Sequence, residues 1–204
     1  MKAVLFDVGG PIDMEFAWEI AVDGAIAASC GMEGIRVDQA MVEDASDKAV
    51  AAFATDTYGH MIETLCGDPT TVGRVRRRVE AMTGALDAFQ LRPGIYDLLR
   101  QLRQPSIPGA GLLLGAPGAN WERLKREGLA DFFSQALDVP PADCILVGDR
   151  LDRDIAPAKA KGMATIQFRT GRWRKQRPRN GAETPDAVVA DVPELGAAIA
   201  ALNG

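Results

Sequence analysis

Five short, nearly unbroken apolar runs constrain this chain most: "AVLF" (3–6), "LLL" (112–114), "CILV" (144–147), "ATIQF" (164–168) and "AVVA" (187–190). A strand with one wetted face alternates apolar and polar residues, whereas an unbroken run needs cover on both faces, as in a parallel sheet. Helical spacing fills the intervals. Ile95, Leu98, Leu99 and Leu102 share one helix face, and Leu195, Ala198, Ile199 and Leu202 share another, the latter behind "DVPE", where Pro193 suits a first turn. Strands alternating with helices predict a doubly wound α/β fold.

Residues 15–88 break the alternation. They offer no strand and four amphipathic stripes: Ala17, Ile20, Ala21, Ala25, Ala28; Met41, Ala45, Ala49, Ala52, Phe53; Tyr58, Met61, Ile62, Leu65; and Val72, Val75, Val79, Met82, Leu86. The expected organisation is an α/β core from 1–14 and 89–204, with an inserted α-helical cap at 15–88. Because the insert enters just behind the first strand, it is expected over that strand's carboxyl end, the edge at which open α/β sheets bind ligands.

Composition excludes several classes. A net charge of −5 carries no basic excess for nucleic acid, and no apolar run reaches the roughly 18 residues of a membrane span. The apolar run before Asp7 is too short for a signal peptide, so a cytoplasmic location is expected. Cys30, Cys66 and Cys144 are odd in number and outside any CxxC spacing, which reads as reduced, mostly buried thiols. The sole histidine, His60, has no partner motif and reads as a packing or surface residue of the insert. "GAPGAN" precedes a helix but lacks the Lys and Ser/Thr of a phosphate loop. The arginine-rich "FRTGRWRKQRPRNGAETPD" reads as a solvated loop.

Two places carry acids where a sheet presents ligands. Asp7 ends the first strand, and in "CILVGDRLDRDIAPAKAKGM" Asp149 follows a strand and a glycine, with Asp152 and Asp154 close behind. Taken singly, each acid suits a turn or helix cap. Taken as neighbouring strand ends, Asp7, Asp149 and Asp154 converge, and carboxylates so close require a proton or a cation between them. Mg²⁺, a hard ion with oxygen ligands, meets that need.

With these motifs the chain resembles the haloacid dehalogenase superfamily of aspartate-nucleophile hydrolases. "VLFDVGG" is similar to that family's first motif and "VGDRLDRDIAPAKAKGM" to its fourth. A helical cap behind the first motif is typical of one large branch. The resemblance implies Asp7 as nucleophile and Mg²⁺ ligand, the Gly9 carbonyl and Asp149 as further ligands, and Asp154 as a direct or outer ligand. It also implies that Gly10, Gly115 and Ala116 line the position of a small anionic substrate.

Three departures stand against this. The family's phosphatases carry a second aspartate, the general acid and base, where this chain has Gly9. The Ser or Thr that grips a phosphate oxygen falls in "LLLGAPGAN", at Gly115 or Ala116, neither of which has a hydroxyl. The neutralising lysine is missing from "GLADFFSQALDVPPADCILVGD", which holds no Lys or Arg and is too short for the strand that carries it. General acid–base help contributes about 10²–10⁴ in rate and an oxyanion donor about 10²–10³. An ordinary phosphatase stripped of these groups would lose at least roughly 10⁴. Lys125, Arg123, Arg150 or a residue of the helical insert is the candidate replacement for the charge. Two functions are therefore expected: a Mg²⁺-dependent hydrolase with a weakened site, or an inactive relative with a binding or assembly role.

Overall fold

The computed structural model describes residues 2–105 and 111–203. Its contacts divide the chain into two compact units, Met1–Met14 with Leu91–Gly204, and Glu15–Gln90. The first unit is built on a five-stranded, wholly parallel sheet of β1 (Ala3–Phe6), β2 (Leu113–Gly115), β3 (Cys144–Gly148), β4 (Ala164–Phe168) and β5 (Ala187–Val189). The spatial order is β2-β1-β3-β4-β5. Each strand grows from one of the unbroken apolar runs. The central strands are covered on both faces: Val4, Phe6, Ile145, Val147, Ile166 and Phe168 are essentially inaccessible to solvent on one, and Ala3, Cys144, Thr165 and Gln167 are buried on the other.

Register positions the site. Phe6 pairs with Val147, and the Asp7 amide donates to the Val147 carbonyl at 2.8 Å, so β1 and β3 end level with each other. Leu5 pairs with Gly115 on the other side of β1. Beyond β2, the described residues add no strand to this edge, only an isolated parallel bridge between Gly115 and Ser134. The segment that leads there is anchored by Phe133, whose ring packs edge-on against Phe6 at 6.0 Å.

The helical unit has four helices, α1 (Phe16–Met32), α2 (Gln39–Ala51), α3 (Thr57–Cys66) and α4 (Pro69–Thr83). Three begin on an aspartate whose carboxylate accepts amide N–H groups of the first turn: Asp38 from Met41, Asp56 from Gly59, and Asp68 from Thr70 and Thr71. Their shared core runs through Val22, Ile26, Ala45, Met61, Ile62 and Val75. The expected faces need correction in two helices. In α1 the buried face is Val22, Ala25, Ile26, Ser29 and Cys30, and Ile20 is 69% exposed. In α2 Val42, Ala45, Ser46, Ala49 and Val50 are buried, with Met41 outside. The reason is the same in both: alanine appears on every side, so periodicity alone does not choose a face. In α4 the buried residues are Val75, Val79 and Thr83, and Leu86 lies past the helix end.

The remaining helices of the α/β unit are α5 (Ile95–Leu102), α6 (Trp121–Arg126), α7 (Ala156–Ala160) and α8 (Val192–Asn203). Ile95, Leu98, Leu99 and Leu102 form the buried face of α5, while α8 buries Leu195 and Ile199. All three cysteines are free thiols; Cys30 and Cys144 are buried and Cys66 is partly so. Among the described residues, no helix is long and apolar enough to cross a membrane.

Candidate active site

Each of the acidic residues is aimed by its own backbone. Asp7 extends from the last turn of β1, and one of its carboxylate oxygens accepts from the Val8 amide at 2.8 Å. Asp149 follows Gly148 at the end of β3 and is 4% exposed. Behind it the chain winds into a single π turn, Leu151–Ile155, which turns Asp154 back so that its Oδ2 accepts from the Arg150 amide at 2.8 Å. The outcome is a cluster in which one carboxylate oxygen from each of Asp7, Asp149 and Asp154 lies within 4.8 Å of the others.

Two glycines make that approach possible. A Cβ at Gly10, where φ is +81°, would stand 2.7 Å from Asp149 Oδ2, and one at Gly148 would stand 2.5 Å from Asp154 Cβ. Any side chain at either position would occupy the volume the carboxylates need. Burial disfavours the charged forms here. It pushes Asp7 above the usual carboxylate range, against the Val8 hydrogen bond and the nearby Arg150 charge. Burial, then the Asp7 charge, pushes Asp154 up to about 7. One buried carboxylate, Asp149, and two half-buried ones, Asp7 and Asp154, whose charged forms burial disfavours, form a donor set that suits a hard, oxygen-seeking cation.

The surroundings differ from the sequence expectation. The arginine-rich stretch after β4 is solvated only in part: Arg174, Lys175, Arg177 and Arg179 are exposed as expected, while Trp173 and Gln176 fold back onto the turn that holds Asp149 and Asp154. Gln176, 1% exposed, accepts from the Leu151 amide at 2.7 Å through Oε1 and donates from Nε2 to Asp152 at 3.2 Å. Trp173 lies under the Arg150 guanidinium, 3.9 Å from carbon to ring centroid, and Arg150 donates to Asp152 Oδ2 at 2.7 Å. Thr170 accepts from Arg92 Nη2 at 2.7 Å, while Arg92 Nε donates to the Gly10 carbonyl at 3.0 Å. The exposure that a cluster of arginines suggests holds for most of its charges, and the signal that part of the stretch packs inward was the interspersed Trp173 and Gln176, apolar surface and paired amide in one short stretch.

The candidate cations sort clearly. Arg123, 29% exposed, donates to the fully buried Asp13 at 2.6 Å, which ties α6 to the turn after β1. Lys125 pairs with Glu122 at the surface. Arg150 is the one whose charge acts on both Asp7 and Asp154, and Arg92, missed in the sequence, acts on Asp149. At the end of β2, Gly115 and Ala116 stand beside β1 with no hydroxyl; a Cβ at Gly115 would come within 2.9 Å of Leu137 Cδ1. Gly9 offers the cluster backbone only, bridging to Asp13. His60 belongs to α3 in the helical unit.

With this geometry in view, similarity to known proteins is informative. A family model described as HAD-hydrolase-like matches residues 126–195. A glyceraldehyde 3-phosphate phosphatase of Methanopyrus kandleri is 30% identical over 125 residues, covering 50% of this chain and 54% of that protein. The chain thus spans about half the length of that relative. A phosphoglycolate phosphatase of Synechococcus elongatus is 28% identical, with 96% of this chain and 99% of the relative covered. Among solved structures, the magnesium-bound HAD-hydrolase YfnB of Bacillus subtilis superposes with a TM-score of 0.60 at 18% identity, covering 97% of this chain and 98% of that one. A likeness at that identity speaks to the fold.

Proposed function

Since the chain belongs to the haloacid dehalogenase superfamily of hydrolases, we propose that it cleaves small phosphorylated compounds through Asp7, with Mg²⁺ held at the carboxylate cluster. The observation that carries this reading is the convergence of Asp7, Asp149 and Asp154 within 4.8 Å at the level ends of β1 and β3. Asp7, Asp149 and the Gly9 carbonyl would hold the ion, with Asp154 beside them. The ion would supply charge neutralisation between the attacking carboxylate and the phosphoryl oxygens.

The chain's own residues perform the rest. An oxygen of Asp7 attacks phosphorus, the ester bond to the leaving oxygen breaks, and an aspartyl phosphate forms on Asp7. Water then attacks that phosphorus, releasing inorganic phosphate and restoring the Asp7 carboxylate. The Val8 amide, donating to Asp7, keeps one carboxylate oxygen occupied and thereby orients the other. Gly9 has no proton to give, so the leaving oxygen departs as an anion or takes its proton from solvent. This predicts steep dependence on leaving-group acidity: aryl and acyl phosphates are turned over and alkyl phosphates scarcely at all.

The test is steady-state turnover of phosphate esters graded by leaving-group pKa, with and without Mg²⁺, by wild type and Asp7→Asn. Turnover that needs both Mg²⁺ and Asp7 and rises with leaving-group acidity supports the reading. Turnover untouched by Asp7→Asn overturns it. Gly9, Gly115 and Ala116, which together remove a proton donor and a hydroxyl, favour a second reading: a relative that binds an anion and a cation without turning it over. Mg²⁺ and phosphate binding with no turnover of any ester would decide for it.

A further inference from the structure

The family's lysine has no counterpart in residues 128–149, yet a chain that brings a phosphate dianion to three carboxylates needs positive charge there. We propose that Arg150 supplies this charge, and that Trp173 and Gln176, from the segment after β4, are the positioning residues that hold it beside the cluster. The inference rests on the reading of the cluster as a cation and phosphate site.

Four observations bear on it. Arg150 follows Asp149 directly, and its own amide donates to Asp154, so its Cα is fixed at the site by the same turn that sets two of the acids. Its side chain is 9% exposed, and an arginine is held in such a place only when its charge is paired and its plane is supported. Trp173 supports the plane at 3.9 Å, a cation–π stack that lysine cannot reproduce in shape. Asp152 takes two hydrogen bonds from the guanidinium, at 3.2 and 2.7 Å, and is itself held by Gln176.

The pairing with Asp152 does not cancel the charge at the cluster. Arg150 acts on Asp154 more strongly than Asp152 does, and at Asp7 it is the only one of the two that acts appreciably. A positive group there weakens the hold on a bare cation slightly and strengthens the hold on an anion that shares the site. Those opposite signs separate an electrostatic role from a structural one.

The experiment measures, by titration calorimetry, Mg²⁺ affinity alone and inorganic phosphate affinity in saturating Mg²⁺. The proteins are wild type, Arg150→Met, Arg150→Met/Asp152→Asn, Trp173→Phe and Trp173→Leu. The double variant avoids leaving Asp152 buried without its partner. Phosphate affinity is expected to fall at least about tenfold in both Arg150 variants, the value of a hydrogen bond or ion contact to a charged group, while Mg²⁺ affinity does not fall. Trp173→Leu should lose part of the phosphate affinity and Trp173→Phe, which keeps a ring, should retain it. Unchanged phosphate affinity in the double variant, or Mg²⁺ and phosphate affinities falling together, would overturn the inference. Arg150-dependent phosphate binding in a protein with no turnover supports it and refutes the hydrolase reading alone.

Discussion

The two flanks of β1 are unequally equipped. On the β3 side stand Asp149, Asp154 and Arg150, each fixed by backbone and side-chain partners. On the β2 side stand Gly115 and Ala116, without a hydroxyl, at an edge extended among the described residues only by the single bridge to Ser134. On the proposed reading, the half of the site that would handle charge is carried by side chains, whereas the half that would grip a phosphate oxygen offers backbone and an alanine methyl. Electrostatic work at the cluster and directional hydrogen bonding to a substrate oxygen are separable, and the proposed function relies on the first.

The sharpest way to break that comparison is to remove the oxygen proposed to attack. Asp7→Asn is expected to lower ester turnover to background, at least roughly 10³-fold, since no other group replaces a nucleophile. Measurable residual turnover would move the chemistry away from the β1 end. Next in size is Asp154→Asn, which keeps the shape but removes an acid that borders the cluster. Mg²⁺ affinity, read by calorimetry, should fall about 10–100-fold. An unchanged affinity would place Asp154 outside the charge half altogether.

A gain-of-function pair then sharpens the other flank. Ala116→Ser adds a hydroxyl to an existing Cβ at the end of β2, and Gly9→Asp adds the missing acid at the end of β1. Groups that act as a unit give little when restored singly, so each alone should raise turnover by less than about tenfold and the combination by more than the product. A large gain from Gly9→Asp alone would mean that the β2 flank was never limiting.

The smallest effect is thermodynamic. Asp154 binds its proton up to about pH 7 in the folded, metal-free protein, but only to about pH 4 when unfolded. Between those values the folded state holds the extra proton, so stability is present below about pH 4 and is lost as pH rises through about 7. Asp7, raised by burial, contributes with the same sign. Melting temperature without metal should therefore drop by a few degrees across this window, and Mg²⁺ should restore more of it at pH 8 than at pH 5. A metal-free melting temperature that rises through the window would contradict the raised Asp154.

How much of this was legible in the chain divides along a physical line. The sheet was legible, since an unbroken apolar run such as "CILV" has few alternatives to a strand covered on both faces, and all five runs became strands. The places of Asp7 and Asp149 were legible too, because each comes at the end of an unbroken apolar run and so at a strand's carboxyl end. The buried faces of α1 and α2 were not, as alanine on every side makes rotation about the helix axis nearly free until neighbours pack. Nor was the burial of the Arg150 side chain or the inward turn of Trp173 and Gln176 that covers it. A guanidinium reads as solvent-seeking until a ring and a carboxylate from elsewhere in the chain meet it, and Trp173 lies 23 positions from Arg150 in sequence but 3.9 Å from it in space. Local pattern determines which residues enter the sheet and where its ends fall; which charge faces which depends on contacts distant in the chain, and only the tertiary structure decides them.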